Sequence, residues 1–174
     1  RRFEEALAER LGVPYVVCTS SGTTALTMAL MAAGVGHGDE VIVPNRTWIA
    51  TAHAVIMTGA KVKLVDVDER GLFSVEHLEH AHNLVFIPVH LNGRYVMLPP
   101  QRVSMLRGGR VSWIAIEDLC QAFPIPPQGL AACYSMSTAK LLPTGQGGFV
   151  ATRDEGLYRE LRSLRTHAIE DAMN

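Results

Sequence analysis

The sequence predicts an α/β fold: a mainly parallel central sheet with helices on both faces. Three observations carry that prediction. Apolar runs of strand length alternate along the chain with runs of helical character. Strand-length runs such as Val41-Ile42-Val43 and Val111 to Ile116 are apolar almost throughout, as strands covered on both faces must be. Glycines follow the helical runs, at Gly12, Gly34 and Gly59, where a left-handed residue ends a helix at little steric cost.

Each element follows from its pattern. Phe3, Leu7 and Leu11 recur at i, i+4 and i+8 with charges between them, the stripe of a surface helix ending at Gly12. Pro14 to Cys18 reads as a strand. The alanine- and methionine-rich run Thr24 to Ala33 reads as a buried helix, and Glu40 to Val43 as a short strand. Trp48 to Met57 is expected to be a second buried helix and Lys61 to Val67 the third strand. A short polar helix at Ser74 to Ala81 precedes a strand at Leu84 to Val89 and a weak helix near Gln101 to Leu106. Val111 to Ile116 is the fifth strand. Ala131 to Met136 and Gly148 to Thr152 add two more, before an amphipathic helix at Glu155 to Leu164. The Pro- and Gly-rich stretch Phe123 to Gly129 reads as a loop too short to link domains.

Composition narrows the function classes. The 174 residues suit one domain with a substantial core. Sixteen basic against seventeen acidic residues leave a net charge of −1, which gives no footing for general nucleic-acid binding. Cys18, Cys120 and Cys133 are far apart and set in apolar stretches, so they read as buried thiols rather than metal or redox pairs. No run approaches the ~18 consecutive apolar residues of a membrane span, and the acidic, amphipathic N-terminus does not suit a secretory signal, so a cytoplasmic location is expected. The chain enters its first helix from Arg1 with no capping residue ahead of it, so its start is expected to lie upstream.

In sheets of this kind ligands bind beyond the carboxyl ends of the strands, so the residues just after each strand carry the information. Ser20-Ser21-Gly22-Thr23 lies between a strand and a helix. Two readings stand: an anion site for a phosphate at the helix N-terminus, or an ordinary Ser/Thr cap. It is not a P-loop, lacking the second glycine and adjoining lysine. Glu117-Asp118 follows an apolar strand, where a carboxylate entering the crevice needs a cation or a donor; a solvated strand end or a helix cap is the alternative. Lys140 is the last of three lysines and sits among small hydroxyl residues with no charged neighbour nearby. It is either a surface lysine or an amine able to act as a Schiff-base nucleophile. No Gly-x-Ser-x-Gly nucleophile elbow occurs, which ranks a hydrolase last.

These blocks recur in a recognisable order: Ser-Ser-Gly-Thr (20–23), Asp-Glu-Val-Ile-Val-Pro (39–44), Thr-Trp-Ile-Ala-Thr (47–51), Val-Asp-Val-Asp (65–68), Pro-Val-His-Leu (88–91), Glu-Asp-x-x-Gln-Ala (117–122), Ser-x-x-x-x-Lys (135–140) and Thr-Gly-Gln-Gly-Gly (144–148). The series resembles the DegT/DnrJ/EryC1/StrS family of pyridoxal-phosphate-dependent sugar aminotransferases, over about Phe3 to His167. The resemblance implies the large domain of a PLP-dependent transferase of fold type I, with pyridoxal 5'-phosphate as cofactor. It implies an amino-acid donor such as glutamate, a nucleotide-linked keto sugar as acceptor, and a homodimer. It assigns Lys140 as the residue that holds the cofactor as a Schiff base and moves the proton, and Asp118 as the partner of the pyridine nitrogen. Gly22, Thr23 and Ser135 would hold the phosphate with Ser21 beside them, Trp48 would stack on the ring, and Gln121 would lie near the ring hydroxyl. His90 is read as a structural histidine.

Sugar dehydratases of the same fold have histidine at the lysine position, so Lys140 points to transamination. The chain also departs from the family pattern. Phe123 stands where a histidine is common, Gln146 where a glutamate is common, and Asn92 where a tyrosine often follows His-Leu. The links at Phe123 to Ala131, near Gly71 and near Gly108 are short. The family's N-terminal segment and C-terminal small domain are not represented, so residues 1–174 are expected to be the cofactor-binding large domain. Two expectations follow: an aminotransferase or its cofactor-binding portion, or a catalytically incompetent, truncated or minimal homologue that keeps the fold, with or without pyridoxal-phosphate binding.

Overall fold

The computed structural model describes residues 2–78, 84–98 and 113–167. Among these, the order is α1 (Arg2–Leu11), β1 (Tyr15–Thr19), α2 (Gly22–Ala32), β2 (Glu40–Pro44), α3 (Ile49–Met57), β3 (Lys61–Val65), a 3-10 turn (Val75–Leu78), β4 (Leu84–Phe86), β5 (Trp113–Asp118), β6 (Ala131–Ser135), β7 (Gly148–Thr152) and α4 (Glu155–Arg165). The strands form one seven-stranded sheet ordered β1-β7-β6-β5-β4-β2-β3.

Pairings β2–β3, β2–β4, β4–β5 and β5–β6 are parallel, while β7 is antiparallel to both β6 and β1. Every strand except β7 therefore points the same way. The carboxyl ends of β1, β5 and β6 share one edge, and β7 begins at that edge.

The strands are apolar on both faces because both faces are covered. Val17, Ala131, Cys133 and Val150 face a core that includes Ala25, Leu26, Ala29 and Leu30 of α2. Their neighbours Val16, Ala132, Tyr134 and Phe149 face the other way, toward Leu7 and Leu11 of α1 and toward Leu119 and Ala122. Alanines at two of the four α2 positions let that helix lie close on β6 and β7, and α3 and α4 pack against its sides. Asp154 caps α4, its Oδ1 accepting from Leu157 N–H at 2.7 Å.

Several expectations are corrected. α3 is only partly buried: Thr51, Ala54 and Val55 face inward, while Ile49, Ile56 and Met57 are exposed. The strand expected to reach Val89 stops at Phe86, because Pro88 has no N–H to continue the ladder; Val89 instead bridges to Asp118. β3 stops at Val65, and Val67 bridges back to Phe73 across the turn at Gly71. β5 extends through Glu117 and Asp118, so both acids lie in the strand rather than after it. The polar helix at 74–81 is a single 3-10 turn over its described part. Residues 101–106 and Val111-Ser112 lie outside the described residues. Of the thiols expected to be buried, Cys133 is, but Cys18 and Cys120 are only partly so, and all three are free. Phe3 is also largely exposed, so the α1 stripe narrows to Leu7 and Leu11.

Candidate active site

The carboxyl ends of β5 and β6, the N-terminus of α2 and the start of α3 enclose a cavity of ≈ 420 Å³. Its wall contains all eight residues singled out from the sequence: Ser21, Gly22, Thr23, Trp48, Asp118, Gln121, Ser135 and Lys140. They come from segments spread over 120 positions of chain, and the sheet order brings them together.

At one corner lies the first turn of α2. Ser21 is its cap, with Oγ accepting from Thr24 N–H at 3.0 Å. The capping reading is therefore correct, and it leaves the anion reading intact. The amides of Gly22 and Thr23 have no intrahelical partner by geometry and lie in the cavity wall. A Cβ at Gly22 would fall 2.8 Å from Ser135 Cβ and 2.9 Å from Cys120 Sγ. Only glycine lets this turn approach Ser135 so closely, so helix amides and the Ser135 hydroxyl share one corner, as a phosphate requires.

Asp118 sits on the cavity floor, 6% exposed. Its backbone is fixed by N–H donation to Pro88 O and by acceptance from His90 N–H, both at 3.0 Å. Both carboxylate oxygens have donors: Cys120 N–H to Oδ1 at 3.1 Å and Thr51 Oγ1 to Oδ2 at 2.8 Å. The carboxylate is thus held in one orientation. Burial pushes the Cys120 thiol well up, the Asp118 charge pushes it further, and the Lys140 ammonium opposes both, so the two charges act on one corner of the cavity.

Lys140 stands in a tight turn, its N–H donating to Ser137 O at 3.0 Å. The turn is anchored by Met136 N–H to Gly147 O at 2.9 Å and Thr144 N–H to Met136 O at 3.0 Å. Lys140 is partly buried rather than out on a solvated face. Trp48 caps α3 without a side-chain bond and is 70% exposed at the cavity mouth. Gln121 Oε1 accepts from Asn92 N–H at 3.2 Å, and Asn92 takes φ 56° in the turn over it.

On the opposite face of β5 from Asp118, Glu117 and His90 are both fully buried. Glu117 Oε1 accepts from Gln128 N–H at 2.7 Å and Gly129 N–H at 2.5 Å. His90 Nδ1 accepts from Val96 N–H at 3.2 Å, which leaves the ring proton on Nε2. Nε2 and Glu117 Oε2 face each other at 3.0 Å without an aligned hydrogen bond. Neither residue lines the cavity, which bears out the structural reading of His90.

Sequence reasoning missed Thr47, Cys120 and Ser137 in the cavity wall and Thr51 behind it. The threonines lay in a quoted block, but their residue type does not distinguish a hydroxyl that reaches another strand from one that bonds its own helix. Of the noted departures, Gln146 lines the cavity, and Phe123 packs edge-on against Tyr134 and Phe149 in the core.

Sheet order and cavity together define an α/β protein with a candidate site at the carboxyl ends of its strands. DesV from S. venezuelae, in complex with a ketimine intermediate, superposes with TM-score 0.81 at 30% identity over 96% of this chain and 47% of its own. The chain belongs to the DegT/DnrJ/EryC1/StrS aminotransferase family, whose model matches residues 1–174. UDP-N-acetyl-3-dehydro-alpha-D-glucosamine 3-aminotransferase from Acidithiobacillus ferrooxidans is 40% identical over 96% of this chain and 48% of its own length. NtdA from Bacillus subtilis, solved with bound cofactor PMP, has TM-score 0.77 at 26% identity, over 93% of this chain and 38% of its own. The chain spans about half the length of the curated relatives it matches.

Proposed function

We propose that this chain forms the pyridoxal 5'-phosphate-binding large domain of an aminotransferase that moves an amino group from an amino acid such as glutamate to a nucleotide-linked keto sugar. The observation that carries it is the convergence of Lys140, Asp118 and the α2 N-terminus on one cavity. The donor set suits the cofactor: helix amides and the Ser135 hydroxyl for a phosphate, a fixed carboxylate for a ring nitrogen, and an amine for an aldehyde carbon.

When bound, the cofactor supplies an electron sink for the substrate's carbon. The chain's own residues do the rest. Lys140 Nζ would hold the cofactor's aldehyde carbon and would carry the proton at the reacting carbon. Asp118, held by Thr51 and Cys120 N–H, would pair with the ring nitrogen. Gly22, Thr23 and Ser135, with Ser21 fixing the turn, would hold the phosphate. Trp48, at the mouth, would cover the ring, and Gln121 would lie near the ring hydroxyl.

The substrate class is supported by the name of the Acidithiobacillus relative, a UDP-sugar 3-aminotransferase. The same reading makes the protein a homodimer working in the cytoplasm; among the described residues no helix is long and apolar enough to cross a membrane. Purified protein incubated with pyridoxal phosphate should show a near-visible absorbance band that borohydride fixes to Lys140, and Lys140→Ala should lack the fixed adduct. Protein that stays colourless with added cofactor sinks the reading. Loss of the band on adding glutamate, with 2-oxoglutarate formed, tests the donor half.

A further inference from the structure

The hydroxyl that reaches Asp118 belongs to a chain of two. Thr51 is fully buried, and its Oγ1 lies 2.8 Å from Asp118 Oδ2 and 2.7 Å from Thr47 Oγ1. A hydroxyl has one proton to give. Thr51 Oγ1 donates to Asp118 Oδ2, so its proton is spent there and it must itself accept from Thr47. The order of donation is therefore fixed: Thr47 to Thr51 to Asp118. Thr47 is partly exposed and lines the cavity, whereas Thr51 does not. The relay leads from the cavity wall to the carboxylate oxygen.

Its geometry follows from α3. Thr47 and Thr51 are four residues apart at the helix start, where Thr51 N–H turns back to Trp48 O at 3.0 Å. Thr51 lies in the first turn of α3 and Thr47 just ahead of its extended cap Trp48, and that entry into the helix brings the two hydroxyls together. A threonine in a helix usually returns its hydroxyl to its own backbone. Here the hydroxyl reaches across to β5 instead, an arrangement that serves the carboxylate and not the helix.

We propose that Thr51, supported by Thr47, is a positioning residue that holds the Asp118 carboxylate aimed at the ring nitrogen of bound pyridoxal phosphate. This rests on the reading that the cavity holds the cofactor with Asp118 at that nitrogen. A buried oxygen stripped of its donor is unsatisfied and free to turn away.

The test uses the full chain, pyridoxal phosphate titrations, and ring-15N-labelled pyridoxal phosphate observed by NMR. Thr51→Val, which keeps shape and removes the donor, should weaken cofactor binding about tenfold, on the scale of one hydrogen bond to a charged group. It should also move the ring nitrogen signal toward the unprotonated position. Thr51→Ser should restore both, and Thr47→Val should weaken binding about threefold. Thr51→Val that binds as tightly as the unaltered chain, with an unchanged nitrogen signal, overturns the proposal. If Thr51→Val does not fold, Thr47→Val decides, and cofactor affinity and nitrogen signal equal to those of the unaltered chain overturn it. Unaltered chain that binds no pyridoxal phosphate overturns the functional reading itself, a distinct outcome.

Discussion

Glu117 and Asp118 are consecutive acids that meet opposite fates because a strand sends successive side chains to opposite faces. Asp118 enters the cavity; Glu117 enters the protein interior, where a carboxylate is tolerated only with several partners. It has them in the amides of Gln128 and Gly129 and in the facing His90 ring. The cluster continues through Gln128, whose side chain donates to Val96 O at 3.0 Å and accepts from Leu98 N–H at 3.2 Å. One buried acid thus ties the 96–98 and 128–129 segments beneath the cavity floor. Glu117→Ala strands two partly buried amides and opens a cavity, and we expect a loss of about 3 kcal/mol in denaturant unfolding. A loss below about 1 kcal/mol would mean that water replaces the carboxylate and that the tie is dispensable.

At the scale of elements, residues in the ordered blocks read as site candidates because each lies at or beyond the carboxyl end of a strand or at a helix start, and strand ends at a common edge are close whatever the loops between them do. Asp118, Lys140 and Ser21-Gly22-Thr23 were legible for that reason. The reversal of β7 was not, since a buried strand reads the same in either direction. Nor was the Thr51 contact, which depends on packing between α3 and β5. The exposure of α3 was also hidden, because an apolar helix pattern is the same whether its outer face meets the core or a partner. Ile49, Ile56 and Met57 share that outer face, and Ile56 and Met57 are 59% and 68% exposed. Apolar side chains side by side in water are costly to leave uncovered. If the protein is the proposed homodimer and a second copy covers them, each substitution acts twice by symmetry. The double variant Ile56→Asp, Met57→Asp should then sediment as a monomer at micromolar concentration, with unchanged circular dichroism. A variant that stays dimeric would move the interface elsewhere.

For the whole molecule, the groups with the clearest shifts are weak acids held neutral by the fold. Burial above all pushes Cys18 up to about 11, with Glu4 adding and Arg165 opposing. Burial likewise raises Cys120 and Cys133 well above the ordinary thiol value of 9.0, and lifts the Tyr134 hydroxyl, which donates to Ile125 O. A group bound more tightly to its proton in the folded state stabilises the fold fully below its unfolded value and loses that contribution as pH rises toward the folded one. All four act in the same direction, so stability should hold to about pH 9 and fall above it. Fully buried Cys133 alone sets a slope approaching 1.4 kcal/mol per pH unit, about one proton's worth, while the part-exposed thiols contribute less. Urea unfolding at pH 8, 9.5 and 10.5 measures the decline. Cys133→Ala lowers stability at every pH by opening a small cavity, but it should flatten the decline by roughly that one-proton slope. An unchanged slope in the variant would assign the alkaline loss to the surface charges instead of to the thiols beneath the sheet.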